Sequence, residues 1–173
     1  MLNKKTNRQS GFTLVELMIT IVIMGIALSI GVPPLVDAYR KTQVTAATTE
    51  FLSALGYARS ESLNSGVAVI VCASADKSSC GGTSFKTGWI AFMDDDGDDT
   101  LDSGERILRK RGSLGNTTVT TSPATTSLTF GVGGATTQAV DFTFCRAGSS
   151  GNYAGKIKLS ATGRALRITG ASC

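Results

Sequence analysis

The sequence predicts an α+β fold in which a long amino-terminal helix, partly transmembrane, packs on an antiparallel β domain. Three observations carry that expectation. Residues 12–36 are an apolar run that contains a single acid, Glu16. Residues 35–63 repeat apolar side chains at steps of three and four, the period of an amphipathic helix. Beyond residue 66 the period changes to short β-branched runs set apart by glycine and serine, the pattern of strands and turns.

The helix follows a polar leader, residues 1–11, which carries Lys4, Lys5 and Arg8 and no acid. Positive charge on that side of an apolar span stays cytoplasmic. The 21 residues 12–32 precede the first proline, enough helix to cross a hydrocarbon core of roughly 30 Å. Near one end of this span the Glu16 carboxylate costs on the order of a few kcal/mol unless a cation meets it in a dry environment. A secretory signal places its small residues after the apolar stretch; here the small residue, Gly11, stands before it. Pro33 and Pro34 lack a donor and crowd the preceding turn, which kinks or loosens a helix. Membrane helices tolerate them when neighbours satisfy the backbone. Val44, Ala47, Phe51, Leu55 and Ala58 then form one stripe, with Arg40, Lys41, Glu50, Arg59 and Glu61 largely off it. Asn64, Ser65 and Gly66 supply the stop. The expected organisation is a leader over 1–11, a transmembrane helix over 12–36, its continuation over 37–64, and a β domain over 65–173.

Strands are expected at 67–72, 89–92, 117–121, 127–130, 140–145 and 156–159, with glycine and serine clusters at 78–84, 131–134 and 148–151 between them. The Ser/Thr-rich stretch 116–137 alternates with Val119, Leu128, Phe130 and Val132, so it reads as edge strands and loops. Cys72, Cys80, Cys145 and Cys173 all follow the membrane segment, and an even count in an exported domain reads as disulfides. Three connectivities are possible. Cys72 with Cys80 and Cys145 with Cys173 is favoured because each bridge closes a local loop. A metal site at these cysteines is disfavoured, since the chain has no histidine and no CxxC spacing. The formal charge of +4 rests largely on the leader; without its three cations 14 bases face 13 acids, so bulk charge argues for no partner.

Gly11, Phe12, Thr13, Leu14, Val15, Glu16 and Leu17 together resemble the processing motif of type IV pilins and of the pseudopilins of type II secretion. The resemblance implies that a membrane-embedded prepilin peptidase cuts after Gly11 and that the new amino terminus, Phe12, is methylated. It also implies that Glu16 pairs with the free amine of a neighbouring subunit during filament assembly. Residues 58–61 followed by 67–72 are similar to the helix-to-strand signature of the GspH/FimT family of minor pilins and pseudopilins. Residues 88–92, an acidic loop and residues 104–109 resemble that family's central hairpin. The implied fold is type IV pilin-like. The implied role is that of a minor type IV pilin, a structural component that initiates or caps pilus assembly with other minor and major pilins. Its expected location is the inner membrane, single-pass, with a periplasmic domain, then the pilus tip or filament. Two alternatives are a DNA-binding minor pilin for natural transformation and a minor pseudopilin of a type II secretion system. An enzyme is not expected, because nothing assembles a catalytic triad.

Two clusters invite binding roles. Residues 94–105 hold seven acids, and carboxylates at that density can bind Ca²⁺ through oxygen. The candidate ligands are Asp94, Asp96, Asp98, Asp102 and Glu105. The register is not that of an EF-hand, because Gly97 as the sixth position puts Phe92 first and Ser103 last. The plainer reading is a solvated hairpin tip offset by Arg106, Arg109, Lys110 and Arg111, and no cofactor is required. The second cluster is basic: Arg146, Lys156, Lys158, Arg164 and Arg167 against one acid from residue 141 on. Lys156 and Lys158 alternate onto one face of a strand, and residues 163–167 read as a turn. Clustered cations attract nucleic-acid phosphates. The resemblance implies DNA contact through a Gly-Arg-x-Arg pattern, from which this chain departs: two residues separate Arg164 from Arg167. The alternative is a basic face that contacts a neighbouring subunit.

Overall fold

The computed structural model describes residues 11–146 and 153–173. The leader ahead of Gly11 and the glycine-serine cluster at 148–151 lie outside them. Helix α1 runs Leu14–Ser65, through both prolines. Thr13 caps its start, the Thr13 hydroxyl oxygen accepting the Glu16 N–H at 3.2 Å. Gly66 ends it with φ 70° and an N–H that donates to the Ser62 carbonyl at 3.2 Å. That left-handed position just past a helix is one where the missing Cβ matters.

The chain divides into two compact units, Met1–Tyr39 and Arg40–Cys173. In the first, α1 is long and apolar enough to cross a membrane. Most of its large apolar side chains, including Leu14, Met18, Ile21 and Ile26, are more than half exposed. In the second, the amphipathic half of α1 lies on eight strands among the described residues. They are β1 (Ala68–Ala73), β2 (Trp89–Asp94), β3 (Ile107–Arg111), β4 (Thr117–Ser122), β5 (Ser127–Phe130), β6 (Val140–Arg146), β7 (Ala154–Leu159) and β8 (Ala165–Ile168). They form two antiparallel four-stranded sheets, ordered β3-β2-β1-β5 and β4-β6-β7-β8.

The six expected runs are all strands, with ends shifted by no more than two residues. The Ser/Thr-rich stretch supplies β4 and β5, each an edge of its sheet. One expectation is corrected at the carboxy terminus. The turn closes at Gly163, whose N–H donates to the Ser160 carbonyl at 2.9 Å. The residues after it form β8 on β7, with Ile157 opposite Arg167. Four residues, one of them charged, carry too little periodicity to announce a strand.

Every member of the predicted helical stripe is buried. Phe51 is its centre, with ring centroids 5.6 Å from Trp89 on β2, 4.9 Å from Phe142 and 5.7 Å from Phe144 on β6, and 5.3 Å from Phe85. One side chain thus packs against both sheets. On β7, Gly155 lies against Thr48 of α1, where an added Cβ would collide with the threonine side chain. Glycine is what lets the helix approach that strand.

Candidate functional site

The amino-terminal site is simple in form. Phe12 is 81 % exposed and Glu16, four residues on, stands in the first turn of α1 on an apolar surface. A carboxylate there also complements the positive end of the helix dipole. The Thr13 cap was missed by sequence reasoning, although Thr13 and Glu16 have the spacing of a capping box.

The acidic segment is exposed over residues 95–100 and 102–104, and Leu101 between them ties it to the sheet. Residues 95–106 join β2 to β3, and Leu101 packs with Ile107 on Ile70, Cys72, Ile90 and Phe92. These residues form the face of the first sheet turned away from α1. The Thr129 hydroxyl on β5 donates to Asp99 Oδ1 at 3.3 Å. Backbone donors occupy much of the acid. Gly97 N–H reaches Asp94 Oδ1 at 2.9 Å, and the N–H groups of Asp95 and Asp102 reach Glu105 at 2.9 and 3.0 Å. Thr100 donates to Asp98 through hydroxyl and N–H, which holds that carboxyl below its ordinary range. Of the candidate calcium ligands, Asp94, Asp96 and Asp98 bring oxygens within 4.8 Å of one another, Asp94 buried and the others exposed. Asp102 and Glu105 stand outside that group. With one oxygen from each, three carboxylates supply fewer than the roughly six to eight oxygens Ca²⁺ takes, so carbonyls or water would complete a shell.

The cations expected to offset these acids mostly turn to the helix instead. Arg106 pairs with Glu61, Arg111 pairs with Glu50, and the Arg109 guanidinium lies 4.7 Å from the Tyr57 ring centroid. Register gives the reason. Arg109 and Arg111 stand opposite Ala91 and Trp89, on the helix side of β3. Glu50, Tyr57 and Glu61 recur at seven and four residues along one flank of α1.

The five candidate DNA contacts do not share a face. Lys156 and Lys158 point away from α1, as their alternation predicts, and Lys156 pairs with Asp141 at 2.8 Å. Arg167 is on the opposite face, its Nη1 3.4 Å from the Thr49 hydroxyl of α1. Arg146 also reaches the helix, donating to Gln43. Arg164 is exposed in the approach to β8, beside Arg59 and Leu63. The disulfides are Cys72–Cys80 and Cys145–Cys173.

The model of the family described as type II transport protein GspH matches residues 47–163, from the middle of α1 to the turn before β8. The chain belongs to this family. A second model, the prokaryotic N-terminal methylation motif, matches residues 6–32. GspH-family chains and minor pilins are structural proteins, not enzymes, and membership implies assembly with other pilin-like subunits. The methylation motif and the apolar helix fit a pilin anchored in the inner membrane. Among solved structures, the type IV minor pilin FimU of Pseudomonas aeruginosa (strain PAO1) is similar in two crystal forms. One is 21 % identical over 73 % of this chain and 89 % of that one, with a TM-score of 0.58. The other is 23 % identical over 72 % and 91 %, with a TM-score of 0.56. The minor pseudopilin EpsH from the type II secretion system of Vibrio cholerae is 9 % identical over 73 % of this chain and 96 % of that one, with a TM-score of 0.55. At these identities the likeness is one of fold. No curated protein sequence is significantly similar.

Proposed function

We propose that this GspH-family chain is a minor subunit of a type IV pilus that initiates or caps assembly. In this reading residues 12–36 hold it in the inner membrane with the Arg40–Cys173 unit in the periplasm. A prepilin peptidase cuts after Gly11, and Phe12 becomes the methylated terminus. The observation that carries the reading is the apolar surface of α1 over residues 14–36, exposed and broken by one carboxylate. Lipid can cover that surface before assembly and neighbouring helices afterwards. Glu16 then needs a cation in a dry setting, and the new amine of an adjacent subunit supplies one.

Changing Glu16 to Val should leave processing intact and lower recovery in sheared filaments about tenfold or more, the ratio that roughly 1.4 kcal/mol sets. Normal incorporation would rule out the pairing. Changing Gly11 to Leu should leave an uncut precursor, and a mature protein of normal length would remove the processing site.

The fold does not choose between pilus and secretion. FimU, at 21–23 % identity against 9 % for EpsH, supports the pilus. A deletion strain that loses pili but still secretes its exoproteins would agree. Lost secretion with intact pili would make the chain a minor pseudopilin. DNA capture has no single cationic face behind it among the described residues.

A further inference from the structure

The two sheets end in the edge strands β3, β5, β4 and β8, and the first three each carry a guard. On β4 the Val119 carbonyl accepts the Ser84 hydroxyl at 3.3 Å, from the segment before β2. β5 bridges to Thr136 through Phe130. β3 carries Arg109, Lys110 and Arg111, and charge on an edge discourages pairing with another chain. β8 has no such cover among the described residues, and its one cation, Arg167, turns to the helix. Its register on β7 shows which backbone groups are spare. The Ser160 N–H donates to the Arg164 carbonyl at 3.0 Å, so alternation makes Lys158–Leu166 and Lys156–Ile168 the hydrogen-bonded pairs. The N–H and C=O groups of Ala165 and Arg167 then point away from β7, along the open edge.

The side chains along that edge specify what can pair with it. Leu166 and Ile168 lie on the outer face and are 45 % and 39 % exposed. Arg167 lies on the helix face, its guanidinium beside the Thr49 hydroxyl. Two clefts border β8. One, of about 340 Å³, is lined in part by Lys41, Thr45 and Arg167, and the other, of about 390 Å³, by Gly56, Arg59 and Arg164. Each has two cations in its walls and no acid. The face of α1 opposite its buried stripe leaves room for a strand. Ala46, Thr49, Ser53 and Ser60 are small and exposed there, and a Cβ added at Gly56 would meet nothing within 4 Å. All of these groups belong to the Arg40–Cys173 unit. On an added strand, the residue opposite Arg167 would point to the same face, its Cβ about 5 Å away. An acid suits that position. Its neighbours on either side, beside Leu166 and Ile168, suit apolar side chains.

We propose that the open edge of β8 pairs with an extended segment of a different, neighbouring subunit, one that sets an acid toward α1 between apolar residues that face outward. The inference rests on the assembly reading for the source of that segment. A second copy of this chain is the poorer fit, because its exposed acids cluster in the loop 95–105, which Leu101 pins to the first sheet. Nucleic acid fits poorly too. An edge that alternates N–H with C=O suits a peptide strand, which satisfies both, whereas phosphates would meet the carbonyls.

The test uses the full processed chain in detergent micelles and a fluorescent peptide that alternates valine with glutamate and is long enough to span β8. Polarisation reads its binding, and hydrogen–deuterium exchange reads where it sits. The peptide should slow amide exchange across residues 165–168. It should bind about tenfold more tightly than a version with lysine for glutamate, and about tenfold more tightly than one N-methylated along its bonding edge. Arg167→Gln should shrink the preference for glutamate over lysine, and Arg167→Lys should keep most of it. Ala165→Pro removes a spare N–H and no bond to β7, so it should weaken binding of the unmodified peptide. If that variant misfolds, the N-methylated peptide asks the same question of the wild type. Equal binding of the methylated and unmodified peptides would overturn the proposal, as would protection away from β8 or an unchanged preference in Arg167→Gln. Displacement by a short DNA oligonucleotide would make the edge a nucleic-acid surface. Protection of β8 by raised chain concentration alone would make it a contact between copies. Either would overturn the assignment to a different subunit. A chain that enters filaments but binds no peptide would remove this inference alone. One that binds the peptide yet never enters filaments would remove the assembly reading, and the source of the segment with it.

Discussion

Both sheets pack one face on α1, but among the described residues only the first has its other face covered by an apolar cluster. β1 and β2 are buried almost without interruption, because Leu101 and Ile107 cover Ile70, Ile90 and Phe92 on the side away from the helix. β6 alternates buried and half-buried residues, and its outer face carries Asp141 and Thr143 beside Lys156 and Lys158 of β7. An antiparallel sheet with one wet face needs only alternation, whereas a strand that is apolar throughout needs a second cover. Here the chain provides it from the loop with the densest negative charge. That loop is conspicuous for its carboxylates, yet it holds the sheet through one leucine.

The residue common to both sheets gives the largest expected effect. Phe51→Ala would open a cavity against Trp89 of the first sheet and Phe142 and Phe144 of the second. Truncating a buried phenylalanine costs about 3–5 kcal/mol. Urea unfolding should show that loss in a single transition. Two separated transitions would mean that the sheets do not share one core.

The second prediction sets the outer faces against each other. Leu101→Ser uncovers the apolar outer face of the first sheet and should cost about 1–2 kcal/mol, since full burial of a leucine is worth about 1.5–3. Lys158→Ser, on the outer face of the second, should change stability by no more than about 0.5 kcal/mol. Dye binding to exposed apolar surface should rise in the first variant and not in the second. Equal costs would show that the acidic loop is no cover.

This difference was half visible in the sequence. The run from Val67 to Cys72 is apolar on both parities, while Val140, Phe142 and Phe144 alternate with Asp141 and Thr143, and each strand is where its pattern puts it. The motif around Gly11 and the stripe through Phe51 were equally plain, because both depend on spacing within one segment. What periodicity could not show was long-range. Leu101 reads as one apolar residue in an acidic tip, and nothing local says that it reaches β1. The arginines of β3 looked like counter-ions for their sequence neighbours, but strand alternation sends Arg109 and Arg111 to the helix. The five carboxy-terminal cations were counted together, and the pairing of β8 with β7 places Arg167 on the face opposite Lys158.

The smallest expected effect belongs to the loop closed by Cys72–Cys80, which adjoins the covered sheet. Asp76 is exposed, yet it gathers donors. The N–H groups of Ser78 and Ser79 reach Oδ1 at 2.9 and 3.0 Å, the Ser79 hydroxyl reaches Oδ2 at 2.8 Å, and the Ser74 hydroxyl donates to Oδ1 at 3.0 Å. These bonds, the Ser78 N–H foremost, hold the Asp76 carboxyl well below the usual carboxylate range. A carboxyl whose folded value is depressed contributes stability above its unfolded value, about 3.9, and loses it as pH falls toward the folded one. Asp76→Asn should therefore lower Tm slightly at neutral pH, by the same amount down to about pH 5. The gap should then narrow steadily below about pH 4 as the wild type loses what the variant never had. A gap that stays constant into stronger acid would mean that asparagine disturbs the loop by shape rather than by charge. The Cys72–Cys80 loop would then owe nothing to the ionised carboxylate.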